Sequence, residues 1–288
     1  MKKFNKKDYL IFVGCFGLVV AAMWYNSYFQ SQNQVYFPRA LSADDLAKYS
    51  NNDTRAVVIY SLFTQYAYNV GGFYDYYSHK CGVSCLTLVV NPENITASYV
   101  TGNDSLVYLK HLNYSVITDI DVDKNPDILK NYDKIILLHD EYMTKREFNA
   151  IENHKNVIYL YPNSAYAEVS YDQNSHVMRL LYGHGYDGDD DRIYQQTNVT
   201  NGFGFVTTSN NEYNLNCRNY YWEQMPNGMQ ISCFPEFLVK SDRSLLQTIK
   251  DYPGITPKLV VSTNVVNPSN LPNCDAYGYC PDLMPKPK

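Results

Sequence analysis

Three short runs of unbroken apolar residues most limit what this chain can fold into: "AVVIYSL" (Ala56–Leu62), "KIILL" (Lys134–Leu138) and "NVIYLY" (Asn156–Tyr161). A strand with one wet face alternates apolar and polar residues. A run without alternation belongs to a strand covered on both faces, the habit of parallel sheets. "CLTLVV" (Cys85–Val90) reads as another such strand and "YSVIT" (Tyr114–Thr118) as a shorter one. Between them "SLVYLKHL" (Ser105–Leu112) has helical spacing. Thr144 followed by Glu147 makes a capping box, which predicts a helix from about residue 145 to His154. Strand, helix, strand at this spacing predicts right-handed crossovers and a mostly parallel α/β sheet.

After Asn163 the rhythm changes. "AYAEVSYD" and "HVMRLLYG" alternate, which predicts a hairpin around Gln173-Asn174. "FGFVTT" (Phe203–Thr208) and "MQISCF" (Met229–Phe234) are further strands, and "SLLQTIKDY" (Ser244–Tyr252) a last helix. Seven prolines in the 36 residues from Pro253 make the end an extended tail. The expected division is a basic segment and anchor at 1–29, a polar stalk at 30–54, an α/β domain at 55–252 and the Pro-rich tail at 253–288.

The amino terminus predicts where that domain resides. Lys2, Lys3, Lys6 and Lys7 precede an uncharged run from Tyr9 to Tyr25, with Trp24, Tyr25, Tyr28 and Phe29 as an aromatic collar. About 20 apolar residues span a bilayer, with ~17 the lower limit. The lysines favour the cytoplasmic side and the collar the outer interface, giving one transmembrane helix with the rest outside the cell. Cleavage as a signal peptide is the competing reading; Ala21-Ala22 followed by Met23-Trp24 fits it poorly.

Cysteines and sequons point the same way. Outside the span, where Cys15 lies, there remain Cys81, Cys85, Cys217, Cys233, Cys274 and Cys280. An even number in an oxidising compartment reads as disulfides, and local spacing suggests Cys81–Cys85, Cys217–Cys233 and Cys274–Cys280 among the possible pairings. Zinc is the competitor, without a Cys-x-x-Cys pair to support it. Sequons stand at Asn52, Asn94, Asn103, Asn113 and Asn198, a mild excess over chance, and glycosylation of some follows once export is granted. With a net charge of −5 and four of 24 Lys and Arg residues before residue 8, no basic stripe remains for nucleic acid. The 29 tyrosines suit a surface wetted by neutral polar groups.

The chemistry-bearing stretch is "HDEY" (His139–Tyr142). The strand ends at His139 and the helix starts after Thr144, so Asp140, Glu141 and Tyr142 are expected in a loop at the carboxyl end of a sheet strand, where open α/β sheets bind ligands. The first strand delivers "FTQYAYNVGGFYDYY" (Phe63–Tyr77) to the same edge, with Tyr66, Tyr68, Asn69 and Tyr74 around a turn at Gly71-Gly72. The crevice expected between them is walled by Tyr66, Asn69, Gly71, Gly72, His139, Asp140 and Glu141. A polar rim without function is the bland alternative.

These blocks resemble a known family. "HDEYMTKREFNAI" followed by "YPNSAYAEV" (Tyr161–Val169) is similar to the His-x-Glu-Tyr-Trp-Ser … Asn-x-x-Tyr-Trp run in the carboxyl-terminal domain of the N,N-dimethylformamidase large subunit. "QYAYNVGGFY" (Gln65–Tyr74) resembles its Gln-Ala-Tyr-Asn-x-Gly-Gly loop, and "VMRLLYGHGYDGDDDRIY" (Val177–Tyr194) its following strand and Gly-rich turn. The resemblance covers residues 55 to 240 and implies a flavodoxin-like, glutamine-amidotransferase-like sheet with β-hairpin additions. As a whole the chain resembles membrane-anchored surface proteins of ammonia-oxidising archaea. The family also implies an iron held by two tyrosines and a glutamate, with Tyr68 and Tyr142 in the tyrosine places. The glutamate position falls in "TNGFGF" (Thr200–Phe205), where Asn201 stands instead. Glu141, Glu168, Glu223 and Glu236 are the other carboxylates available.

Other templates are weaker. No Gly-x-Ser-x-Gly elbow occurs, and no unpaired cysteine is expected after a strand. His139 and His184 read as turn histidines before bases. "YDGDDD" (Tyr186–Asp191) and "DIDVD" (Asp119–Asp123) read as solvated acidic turns, since Lys124 and Arg192 stand where a calcium loop needs Gly. The expected protein is therefore a single-pass, outward-facing α/β domain without a cofactor, non-catalytic, and binding envelope proteins or glycans. The alternative is an iron-dependent amidohydrolase.

Overall fold

The computed structural model describes residues 39–52, 54–96, 99–183, 217 and 220–254. The expected membrane segment with Cys15, His184, the run Tyr186–Asp191, Asn198, the strand Phe203–Thr208, Asn201, Cys274, Cys280 and the tail beyond Gly254 lie outside the described residues. Among those described, no helix is long and apolar enough to cross a membrane.

The strands, in chain order, are β1 (Ala56–Tyr60), β2 (Thr87–Val89), β3 (Ser115–Thr118), β4 (Lys134–Leu137), β5 (Tyr142–Thr144), β6 (Val157–Tyr159), β7 (Ala167–Asp172), β8 (Val177–Tyr182), β9 (Trp222–Met225) and β10 (Gly228–Ile231). The helices are α1 (Ala43–Ala47), α2 (Leu62–Tyr68), α3 (Phe73–Tyr77), α4 (Asn103–His111), α5 (Asp119–Lys124), α6 (Lys145–Glu152) and α7 (Arg243–Asp251). The described residues thus form a mixed α/β structure with two sheets. The main sheet runs β3-β1-β4-β6-β10-β9, parallel throughout except for β9, which pairs antiparallel with β10.

The apolar runs do what their lack of alternation requires. Val58, Tyr60, Ile136 and Ile158 face one core with Phe63, Leu109, Leu245 and Ile249 from the helices. Val57, Ile59, Ile135, Leu137 and Val157 face another with Val122, Leu129, Phe148 and Ile151. Each fully buried aliphatic side chain contributes about 1.5–3 kcal/mol, so these strands anchor the fold.

The second sheet, β2-β8-β7-β5, contains the expected hairpin: β7 and β8 pair antiparallel, and the Asp172 carboxylate accepts the Asn174 and Ser175 N–H groups in the turn. It also corrects two expectations. The run Cys85–Val90 is not a doubly covered strand; only Thr87–Val89 is extended, at a sheet edge paired to β8 alone, with Thr87 and Val89 exposed. Tyr142 is not in a loop, because the backbone of Tyr142–Thr144 finds partners in Ala167–Val169 of β7 and becomes a strand.

Two further corrections concern polar segments. Residues 39–52 of the expected stalk fold onto the domain: Ser42 caps α1, Leu46 and Tyr49 are buried, and the N–H groups of Leu41 and Asn51 bond to Lys240 and Leu112 carbonyls. Asp119–Asp123 is helical, not a solvated turn. Thr118 and Asp121 form a capping box, and the helix turns Asp119 and Asp123 inward. The disulfides Cys81–Cys85 and Cys217–Cys233 form as expected.

Lys134 opens β4 and is wholly buried. Its Nζ donates to the carbonyls of Ile249 (2.6 Å), Lys250 (3.0 Å) and Tyr252 (3.0 Å) at the end of α7. The last carbonyls of a helix lack partners within it, and an ammonium there also suits the helix dipole. Lys134→Met keeps the apolar stem and strands the carbonyls. It is expected to cost roughly 2–4 kcal/mol in denaturant unfolding, and a loss well under 1 kcal/mol would contradict this capping role.

Candidate functional site

From β1 the chain crosses to β3 on one side, and from β4 to β6 on the other. The loops leaving β1 and β4 therefore part above the pair, at the point where open α/β sheets take ligands.

The two loops are joined by hydrogen bonds. Ser61 caps α2 through the Thr64 N–H, and Thr64 Oγ1 accepts the N–H groups of Glu141 (3.0 Å) and Tyr142 (3.2 Å). One hydroxyl at the start of α2 thus pins the backbone that follows β4.

Beyond α2 the chain turns sharply through Asn69, Val70, Gly71 and Gly72 into α3. Gly71 has φ +79°, the left-handed region that glycine enters at no cost, and its N–H bonds to Asp75 (2.7 Å). At Gly72 a Cβ would lie 2.4 Å from the Ala67 carbonyl oxygen and 2.5 Å from that of Tyr66. That close approach stacks the rings of Tyr68 and Tyr74 with centroids 3.9 Å apart.

Both phenols reach one acid. Glu141 has no exposed surface; Tyr68 Oη lies 2.7 Å from its Oε2, Tyr74 Oη 2.9 Å from its Oε1, and the two phenol oxygens are 2.6 Å apart. His139 stands alongside. Its Nδ1 meets the Val100 carbonyl at 2.6 Å, and since a carbonyl only accepts, Nδ1 carries the proton. Nε2 lies 3.7 Å from Glu141 Oε2, with the rings of Tyr68, Phe234 and Tyr161 around the imidazole.

Tyr142 aims elsewhere, as adjacent residues of an extended segment do. It is wholly buried, donates to Tyr77 Oη at 3.4 Å and packs on Phe73. Burial holds the phenols of Tyr74, Tyr77 and Tyr142 well above the usual range, the nearby acid and neighbouring phenols adding to it, so they act as donors.

Of the expected crevice residues, His139 and Glu141 come together, joined by Tyr68 from the expected tyrosine pair but not by Tyr142. Tyr66 is half-buried and its Oη accepts the Asn91 N–H; Asn69 is exposed and ends α2. Asp140 is wholly buried with Ser61 and Glu147 as its side-chain neighbours, and burial raises its carboxyl to about 7. Glu236 lies at the end of the sheet as a helix cap, accepting the N–H groups of Asp104 and Ser105 at the start of α4 and the Tyr161 hydroxyl. Thr64, Tyr77 and Tyr161 went unread in the sequence. The Ser61-x-x-Thr64 cap directly after a strand was the available signal for the first.

The sequons separate by exposure. Asn52, Asn94 and Asn113 are exposed, whereas Asn103 opens α4 and Ser105 of its sequon is buried with its hydroxyl against Tyr161. No known protein family matches the chain, and no curated protein resembles it in sequence.

Proposed function

We propose that the cluster around Glu141 is the floor of a ligand-binding crevice on an exported α/β domain, tethered to a membrane by the amino-terminal segment. The observation that carries this reading is the position of Glu141, fixed by Tyr68 and Tyr74 where the strand order reverses. Numbered along the chain within the main sheet, its first four strands stand 2-1-3-4, an order that supports the flavodoxin-like, glutamine-amidotransferase-like reading.

A neutral polar ligand, a sugar or a peptide of the envelope, suits the walls. Half-buried Tyr68 offers an apolar ring face with a hydroxyl at its edge, the combination that binds such groups. A non-catalytic role is favoured by how the polar groups are spent. Ser61, at the elbow after β1, bonds to Thr64 and Asp119, and His139 Nδ1 bonds to the backbone. Glycan and peptide arrays probed with the detergent-solubilised full chain provide the test. Ligands captured by the wild type are expected to bind Tyr68→Ala and Glu141→Gln at least about tenfold more weakly, a loss of ~1.4 kcal/mol. Equal binding by both variants would remove the crevice from the account.

A second reading, the iron-dependent amidohydrolase, draws support from one observation. The oxygens of Tyr68, Tyr74 and Glu141 stand 2.6–2.9 Å from one another, the edge lengths of a ligand face around a cation with bonds of ~2.0 Å. An all-oxygen set of this kind suits a hard ion, and Tyr74 takes the place the resemblance gives to Tyr142. Such an ion, when bound, supplies Lewis acidity toward an amide carbonyl and a water. Protein purified without chelator would then be coloured by phenolate-to-metal absorption and contain about one iron per chain. Tyr74→Phe would lose both. A colourless, iron-free preparation eliminates this reading and leaves the binding crevice.

A further inference from the structure

Below the crevice floor lies a set of acids that the binding site does not use. Thr144 Oγ1 accepts the Glu147 N–H at 3.2 Å to start α6, which is half of the expected capping box. The other half is missing because the Glu147 side chain turns into the protein. It is wholly buried, and neither of its oxygens meets an N–H or a neutral hydroxyl. It faces Asp140, equally buried, which has the Ser61 hydroxyl, shared with Asp119 and Thr64, beside it.

The surroundings add further acids. From α5, Asp119 is wholly buried and accepts from Ser61 Oγ and from the N–H groups of Phe63 and Ile120. Asp123 accepts from Thr144 Oγ1 (2.7 Å) and Gln173 Nε2 (2.9 Å). From β7, Tyr171 also lies near Asp119 and Asp123, which add to burial in holding its phenol up. The basic residues of α6 point away: Arg146 bonds to the Lys124 carbonyl at the surface, and Lys145 lies over the Phe148 ring. Two adjacent buried carboxylates with one shared hydroxyl between them and no cation cannot both stay ionised, whereas a carboxylic acid beside a carboxylate forms a strong hydrogen bond.

We propose that Glu147 keeps its proton in the folded protein at neutral pH and donates it to Asp140, locking α6 against the segment that carries Glu141, and that alkaline pH opens this lock. Burial, reinforced by Asp140 and Asp119, holds the Glu147 carboxyl well above its usual range. The folded state thus retains a proton that the unfolded chain releases near 4.5. The contribution of Glu147 is complete below that pH and is lost as pH rises through the folded value, the unfolding constant climbing by up to about tenfold per pH unit in between.

Glu147→Gln tests this, because the amide still donates to Asp140 and cannot ionise. Denaturant unfolding of the full chain from about pH 5 to about pH 9 should show a shallower pH dependence in Glu147→Gln, by up to that tenfold per unit. Infrared spectra of the wild type at neutral pH should retain protonated-carboxyl absorption, reduced in the variant. This measurement stands even if the variant folds poorly. The proposal fails if no protonated-carboxyl band survives at neutral pH, or if a folded Glu147→Gln has the wild-type slope. It also fails if millimolar calcium or magnesium raises the Tm of the wild type and not of the variant, since the acids would then hold a cation instead of a proton.

Discussion

Glu141 has no exposed surface, so its carboxyl oxygens must take their hydrogen bonds from the protein. Leaving a buried carboxyl unsatisfied costs several kcal/mol, enough to dictate the shape of everything around it. The phenols of Tyr68 and Tyr74 answer that demand, and both sit on the loop that follows β1. Bringing them side by side requires α2 and α3 to meet almost in contact, which only a glycine at position 72 allows. Holding the acid in place requires Thr64 to take the N–H groups of Glu141 itself and of Tyr142 after it. A single buried acid thus accounts for the tyrosines, the Gly-Gly turn and the strand-end hydroxyl as one unit.

The same edge of the main sheet manages its other buried acids in different ways. Glu236 is satisfied by the start of α4 and by Tyr161, linking β6, β10 and α4 across the sheet. Asp119 is satisfied by Ser61 and two backbone amides, tying α5 to the β1 loop. Glu147 lacks such a donor and has Asp140, which shares the Ser61 hydroxyl with Asp119. This edge is therefore held by polar contacts, while the middle of the sheet is held by apolar burial. That division places the Asp140–Glu147 pair one residue from Glu141.

Much of the frame was legible in the residues. Runs such as Ala56–Tyr60 and Lys134–Leu137 are covered on both faces, as their lack of alternation predicts. The β7–β8 hairpin and the two local disulfides followed from alternation and spacing. What escaped depends on partners distant in the chain. Tyr142 became a strand residue because β7, some 25 positions on, offered it hydrogen bonds. Cys85–Val90 has the composition of a central strand yet lies at an edge, since apolar content does not say how many neighbours a strand has. The burial of Lys134 rests on carbonyls more than 100 residues away. The candidate site followed suit: strand order brought Tyr68, His139 and Glu141 to one place, whereas Tyr74 as second partner of Glu141 depended on the stacking of two short helices.

The central claim, that Glu141 organises the loops through its phenol partners, is tested most directly by a double-mutant cycle between Tyr74→Phe and Glu141→Gln, read by unfolding free energy. The claim predicts a coupling of about 1–3 kcal/mol, because each single change strands the partner of the other. Effects that add to within about 0.5 kcal/mol would show that the two side chains do not depend on one another, and would contradict it.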